Sequence, residues 1–147
     1  MENTKHLEIA FKLLLLKGLN MDIEKTFKFL VDDYNLNYAC QEFNDCYGGN
    51  WTIATHSYYN QTGCFTIQFL YQRSELDFYY SKAYSSKLKC LCEKRIDEQA
   101  ACPEIWFEAK KRFFFACRPQ LYLNTLAQVI KQQIKDTNSF FGVSISI

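Results

Sequence analysis

The middle of the chain, from residue 36 to residue 84, repeats apolar and polar positions with a period of two. The segment CFTIQFLY (64–71) places Phe65, Ile67 and Phe69 on one side and smaller or polar residues on the other. Turn-forming residues separate the alternating segments, at Gly48–Gly49 and in NQTG (60–63). Short connections between alternating segments are typical of antiparallel hairpins. The pattern therefore predicts a meander of about four antiparallel strands.

Three segments outside this region have the three-and-four spacing of an amphipathic helix. The first covers residues 5–17. The second begins at a cap formed by Asn20 or Asp22 and runs to about Tyr34. Its apolar face consists of Ile23, Phe27, Leu30, Val31 and Tyr34. The third follows Pro119, and its apolar stripe consists of Leu123, Leu126, Ala127, Ile130 and Ile134.

Two segments permit more than one structure. Residues 86–118 combine a helical spacing that begins near Ser85 with the strand-like alternation of KLKCLC, and Pro103 begins either a helix or an irregular packing segment. The apolar tail, 139–147, is strand-like and either packs on the sheet edge or is loosely held. The sequence predicts an α+β fold with the N-terminal and C-terminal helices on one face of the sheet. With only five Gly and two Pro, residues 1–147 are expected to form a single globular domain.

The charge distribution disfavours two classes of partner. A net charge of +1 lacks the basic excess of a nucleic-acid binder and gives no general affinity for anionic membranes. The charges are nevertheless uneven, because no Lys or Arg lies between Lys28 and Arg73. We therefore expect one uniformly acidic part of the molecule, and neither a nucleic acid nor a membrane as partner.

The N-terminal segment and the cysteines favour a cytoplasmic protein. The apolar run Leu13–Leu16 is shorter than the core of an export signal and far too short to span a bilayer. Seven cysteines, an odd number, leave at least one thiol unpaired in a monomer. Reduced thiols in the cytosol are expected on this basis.

The cysteine group of residues 90–117 is the first candidate for chemistry. Cys90 and Cys92 are separated by one residue, and Cys102 and Cys117 follow at long intervals. This spacing differs from the two-to-four-residue knuckles of structural zinc sites, so buried structural thiols are favoured and no cofactor is predicted. The alternatives are a zinc-stabilised module using these four residues and an enzyme with a reactive thiol. A nucleophile pair of Cys40 or Cys64 with His56 also stays open.

The tyrosines suggest a recognition surface. Nine of the ten lie between residues 34 and 84, the region that contains the stretch without Lys or Arg. Alternation predicts Tyr58 and Tyr79 on the face opposite Ile53, Phe78 and Tyr80, and outward tyrosines are common in protein interfaces. We therefore predict a non-enzymatic protein with an acidic, tyrosine-bearing surface for a basic partner protein. The predicted partner-binding residues are Asp32, Asp33, Glu42, Asp45, His56, Tyr58, Gln68, Asp77 and Tyr79.

The arrangement of the segments resembles a known group of proteins. An opening helix such as IEKTFKFLVDDYNLNY, a meander such as TGCFTIQFLYQRSELDFYYSKAY and a closing helix such as LNTLAQVIKQQI are similar to the small cytosolic immunity proteins of bacterial polymorphic-toxin and contact-dependent inhibition systems. The resemblance covers residues 22–135. It implies a protein without enzymatic activity that binds and blocks a cognate toxin domain. Many inhibitors of nuclease toxins are markedly acidic, and this chain differs from them in being nearly neutral.

Overall fold

The computed structural model describes residues 22–46, 49–71, 75–87, 94–96 and 119–145. The helices in these ranges are α1 (Ile23–Thr26), α2 (Phe29–Asp32) and α3 (Pro119–Thr137). The strands are β1 (Asn37–Cys46), β2 (Trp51–Asn60), β3 (Gly63–Leu70), β4 (Glu75–Ser81), β5 (Lys94–Arg95), β6 (Ser139–Phe140) and β7 (Val143–Ser144). The predicted helices at 5–17 and after Pro103 lie outside the described residues.

The first five strands form one antiparallel sheet in chain order, β1-β2-β3-β4-β5. The predicted meander is thereby confirmed, and the fold class is α+β. The strand β5 lies in the ambiguous segment 86–118 and pairs Arg95 with Tyr79 and Lys94 with Tyr80. The β1–β2 pairing contains an irregularity between Phe43 and Cys46.

The second predicted helix forms on the expected face but is not continuous. Asp22 caps α1, since its carboxylate accepts a hydrogen bond from the Lys25 amide at 3.0 Å. At Lys28 and Leu30 the backbone amides bond to carbonyls three residues back instead of four, which separates α1 from α2. The tighter turn still keeps Phe27 and Leu30 fully buried. The prediction was therefore right about the apolar face and wrong about a single helix.

The C-terminal helix α3 packs as its sequence pattern predicts. All five residues of its apolar stripe are buried in the main hydrophobic core. At its first turn, the Gln120 side chain accepts a hydrogen bond from the Asp22 amide at 2.7 Å and donates one to Thr26 Oγ1 at 2.6 Å. The N-terminal and C-terminal helices are thus tied together above the same face of the sheet.

The tail forms the β6–β7 hairpin, which packs against the middle of the sheet and not its edge. Phe140 contacts Phe65 of β3 edge-on, with ring centroids 5.6 Å apart. The Ser144 amide donates to Thr62 Oγ1 at 2.9 Å, in the turn between β2 and β3. Gly142 supplies the positive φ of +88° that the hairpin turn requires. The strand-like character of this tail is confirmed.

Both faces of the central strands are buried. We call the side that packs on α1–α3 the helix face; it includes Tyr58, Phe65, Ile67, Phe69, Leu76 and Phe78. The opposite side, which we call the polar face, includes the buried residues Thr55, Ser57, Thr66, Gln68 and Ser81. All eight residues of β3 are buried. The expectation that one face of the meander is open to water is therefore wrong for these strands.

This arrangement corrects the predicted orientation of Tyr58. The register aligns Tyr58 with Phe65 and Phe65 with Tyr80, so all three lie on the helix face. Ile53, which the prediction placed with the core residues Phe78 and Tyr80, lies on the polar face. The apolar Ile53 gave the wrong assignment because both faces of β2 carry residues that suit burial.

Candidate functional site

Four side chains that carry hydroxyl, thiol or imidazole groups lie together on the helix face where β1 and β2 pair. The register places Tyr38 opposite Tyr58 and Cys40 opposite His56. Side chains of directly opposite residues lie on the same face within contact distance. We call Tyr38, Cys40, His56 and Tyr58 the Tyr–His cluster.

A hydrogen bond joins two members of the Tyr–His cluster. The Tyr38 hydroxyl lies 2.7 Å from His56 Nδ1, and the two rings are stacked with centroids 5.9 Å apart. Burial lowers the pKa of His56 to about 4, while the negative charge of Asp22 opposes this shift. The imidazole is therefore neutral near pH 7. Burial also raises the pKa of Tyr38, so its hydroxyl keeps its proton.

Tyr58 lies at the bottom of the Tyr–His cluster. Its side chain is 1% exposed, and its ring lies 5.0 Å from that of Tyr38 and 6.1 Å from that of Phe27 between centroids. The hydroxyl is buried and has no hydrogen-bond partner. Burial raises the pKa of Tyr58, and electrostatic interaction with the neighbouring groups, including the negative charges of Glu24 and Asp22, raises it further. An unpaired buried hydroxyl is uncommon and costs about 1–3 kcal/mol of stability.

Three exposed carboxylates act electrostatically on the Tyr–His cluster. Asp22 and Glu24 belong to the α1 region and Glu42 to β1, and all three side chains are exposed. Glu24 acts electrostatically on Tyr38 and Cys40, and Glu42 acts on Cys40. The Tyr–His cluster therefore lies in a negative local field.

The negative field opposes thiolate formation in the pair of Cys40 and His56, which the sequence left open as a nucleophile pair. Cys40 and His56 are direct cross-strand partners, and the Cys40 thiol is exposed. Burial raises the pKa of Cys40, and Glu24 and Glu42 raise it further against a hydrogen bond from Tyr38 that lowers it. A thiol nucleophile needs a stabilised thiolate, which cationic neighbours provide. Both partners are neutral here, so the pair lacks the electrostatics of an activated thiol.

Among the thiols of the described residues, Cys64 gives no alternative pair with His56. Cys64 is aligned with Tyr59, on the polar face, so it cannot meet His56 on the helix face. It is buried within 3.5 Å of Thr66 Oγ1, and burial raises the pKa of its thiol. The group Cys90, Cys92, Cys102 and Cys117 lies outside the described residues.

The nine predicted partner-binding residues do not form one surface. Asp32, Asp33, Glu42 and Asp45 are exposed as expected. Asp77 and Tyr79 are partly exposed on the polar face, whereas His56 lies on the helix face. The outward position predicted for two of them is wrong, because Tyr58 is 1% and Gln68 3% exposed.

Sequence reasoning named Cys40 with His56 as one possible pair, but it missed the part played by Tyr38 and by the carboxylates of α1. Counting outward equally from the turn signal at Gly48–Gly49 places Cys40 opposite Ser57, and the irregularity between Phe43 and Cys46 shifts the pairing to His56. No local signal existed for Asp22 and Glu24, because their position over β1 depends on how α1 packs. Phe27, whose ring contacts Tyr58, sets that packing.

Two further features, a metal site and a membrane-spanning helix, can be considered for the described part of the chain. No group of three or more His, Cys, Asp or Glu residues in those ranges is arranged to hold a metal ion. None of the helices described there is both long enough and apolar enough to cross a membrane. Comparisons with protein-family models, with curated proteins and with solved structures each gave no match.

Proposed function

We propose that this protein is a binding protein for a basic partner protein. The observation that carries the proposal is the presence of three exposed carboxylates, Asp22, Glu24 and Glu42, that act electrostatically on the aromatic Tyr–His cluster. A negative field speeds the encounter with a positively charged partner, and an aromatic centre slows its release.

The sequence around the Tyr–His cluster extends this charge pattern. No Lys or Arg occurs between Lys28 and Arg73, and the exposed residues Asp32, Asp33 and Asp45 lie in the same stretch. The acidic region is thus a property of the first half of the chain, although the whole protein is nearly neutral. Local charge is what a docking partner encounters within a Debye length of about 8–10 Å.

The finer proposal is a cytoplasmic immunity protein of a bacterial toxin system. In this role the protein occludes the active site of a cognate toxin and has no enzymatic activity of its own. The resemblance in segment order and the acidic aromatic centre support this role. The pKa directions of Cys40 and His56 favour it over a thiol-dependent enzyme that uses this pair. The thiol alternative that uses Cys90, Cys92, Cys102 and Cys117 concerns residues outside the described ranges.

The test is protection and co-purification. Cells that express a candidate toxin encoded beside this protein are expected to survive when the protein is present, and the two chains are expected to purify together. Charge reversal at Glu24 and Glu42 is expected to abolish both effects. Asp136→Lys is the matched control, because Asp136 is an exposed carboxylate near the end of α3. Failure of the wild-type protein to protect against, or bind, any neighbouring gene product would contradict the proposal.

The competing enzyme hypothesis has its own measurement. An activated thiol reacts with iodoacetamide much faster than a free cysteine near pH 7. We expect slow alkylation of every cysteine, including Cys40, when each is followed by peptide mass spectrometry. One thiol that reacts tenfold faster than free cysteine would favour the enzyme.

A further inference from the structure

The unpaired hydroxyl of Tyr58 suggests what kind of group the Tyr–His cluster receives. The hydroxyl of Tyr58 is buried with no hydrogen-bond partner. Buried polar groups without partners are concentrated at sites where a ligand or water completes them. Tyr58 therefore marks a point at which a hydrogen-bond partner is missing, and its oxygen can accept a hydrogen bond.

The surroundings of this hydroxyl select for a cation. Its electrostatic neighbours are Tyr38, Glu24, Cys40 and Asp22, two of which are carboxylates. The carboxylate of Glu24 and the Cys40 thiol are exposed. A neutral donor gains little from the negative charges of Glu24 and Asp22, whereas a cation gains from both the charges and the aromatic faces.

We propose that the Tyr–His cluster anchors one arginine side chain of the basic partner, and this inference rests on the proposed function. A guanidinium group is planar, carries five N–H donors and stacks on aromatic rings. It contacts the face of Tyr38, donates to the carboxylate of Glu24 and donates to the hydroxyl oxygen of Tyr58. A lysine ammonium is a compact point charge and does not provide the planar stacking.

The geometry requires a small rearrangement on binding. The Tyr58 hydroxyl has no accessible surface, and the ring of Tyr38 lies 5.0 Å from that of Tyr58 between centroids. Tyr38 is only partly buried and is held to His56 by one hydrogen bond. The guanidinium reaches the hydroxyl when the Tyr38 side chain turns away from His56. Binding is therefore expected to change the environment of the His56 ring.

The experiment uses arginine capped at both ends, Nα-acetyl-arginine amide, and compares it with the capped neutral analogue of citrulline. Millimolar capped arginine is expected to slow the alkylation of Cys40 at least threefold and to shift the NMR signals of the His56 ring. Capped citrulline has a similar shape and N–H donors without the charge, so it is expected to do neither. Equal effects of the two compounds, or no effect of arginine, would overturn the proposal.

Two variants distinguish an arginine-binding role of Tyr58 from a purely structural role. Tyr58→Phe removes the unpaired hydroxyl, so the fold is expected to be at least as stable while the arginine effect falls several-fold. Tyr59→Phe is the control, since Tyr59 lies on the polar face and stacks on Tyr84 with centroids 4.3 Å apart. Protection of Cys40 in Tyr58→Phe that equals protection in the wild type would also overturn the anchor.

These outcomes are independent of the test of the proposed function. The capped amino acids need no partner protein, so a negative arginine result leaves the co-purification result standing. Loss of the partner interaction on Asp136→Lys alone would instead place the interface elsewhere on the molecule and contradict the anchor.

Discussion

The two faces of the central strands bury polar groups in opposite ways. On the polar face, the Ser57 and Thr66 hydroxyls lie 3.0 Å apart and satisfy each other. On the helix face, the equally buried Tyr58 hydroxyl has no partner, although the rings of Tyr38 and Phe27 pack against the Tyr58 ring. A paired buried hydroxyl stabilises a sheet, whereas an unpaired one costs free energy. Ser57 and Thr66 therefore differ from Tyr58 in whether the buried hydroxyl has a partner, not in how deeply it is buried.

The polar face is not uniform, which sharpens the comparison. One row further along the strands, Thr55 pairs with Gln41 in the register, and both Thr55 Oγ1 and Gln41 Oε1 are buried without hydrogen-bond partners. The same cross-strand row contains the partly exposed Asp77, which is aligned with Gln68 next to Thr55. The row is consistent with a site for internal water, which commonly satisfies such atoms.

The largest expected effect is at the centre of the helix face. Phe65→Ala removes a ring that is 0% exposed and contacts Phe27, Phe78 and Phe140. We expect a loss of about 3–5 kcal/mol in the free energy of unfolding, measured by urea denaturation, because a large cavity remains. Phe29→Ala is the control, since Phe29 is only partly buried, and it is expected to cost clearly less. Equal losses would show that the core is not centred on β3.

The next effect is a pH dependence of the free energy of unfolding that arises from His56 on the helix face. Burial lowers the pKa of His56 to about 4 in the folded chain, against 6.5 for the free side chain. Between these values the unfolded chain binds the extra proton more tightly, so stability falls as the pH decreases from 6.5 towards 4. The contribution is about 3 kcal/mol, since one pKa unit corresponds to about 1.4 kcal/mol.

This pH dependence is measured by urea denaturation at several pH values. His56→Gln is expected to flatten the loss between pH 6.5 and 4, while the acid loss due to carboxylates at lower pH persists. An unchanged slope in His56→Gln would show that His56 is not buried as a neutral base.

A smaller effect is expected on the polar face. Thr66→Val removes one hydroxyl of the buried pair and leaves Ser57 Oγ without it, which is expected to cost about 1–3 kcal/mol. The double variant Ser57→Ala with Thr66→Val removes both groups and is expected to recover part of the loss. Strict additivity of the two single variants in a double-mutant cycle would contradict the pairing.

The smallest effect has the opposite sign. Tyr58→Phe removes a hydroxyl without a partner, so the free energy of unfolding is expected to stay the same or rise by about 1 kcal/mol. Thermal unfolding monitored by circular dichroism provides the measurement. A loss above about 1 kcal/mol would mean that the hydroxyl is satisfied in solution.

Sequence patterns were sufficient for elements whose two sides differ strongly. The stripe of α3 has apolar residues on one side and charged or amide residues on the other, so its orientation followed directly. The strand periods of β3 and β4 were equally clear. The alternation of β2 predicted a strand but not which of its sides packs on the helices, since Ile53 on one side and Tyr58 on the other both suit burial.

The Tyr–His cluster was only partly accessible to sequence reasoning. His56 and Tyr58 were selected, but as outward residues, because a polar side chain on an alternating strand is normally solvated. Their true surroundings depend on α1, whose contact with β2 through Phe27 is a long-range packing event. No local pattern encodes such a contact, and the Cys40–His56 pairing likewise depends on the irregularity between Phe43 and Cys46.

The docking of the C-terminal tail has a consequence for folding kinetics. The Asn60 amide group donates to the Ser144 carbonyl at 2.7 Å across a separation of 84 residues. Contacts so distant along the chain require closure of a long loop, so they form late and slow the overall folding reaction. Interactions that are absent from the transition state retard unfolding without accelerating folding. The last few described residues therefore extend the lifetime of the folded protein.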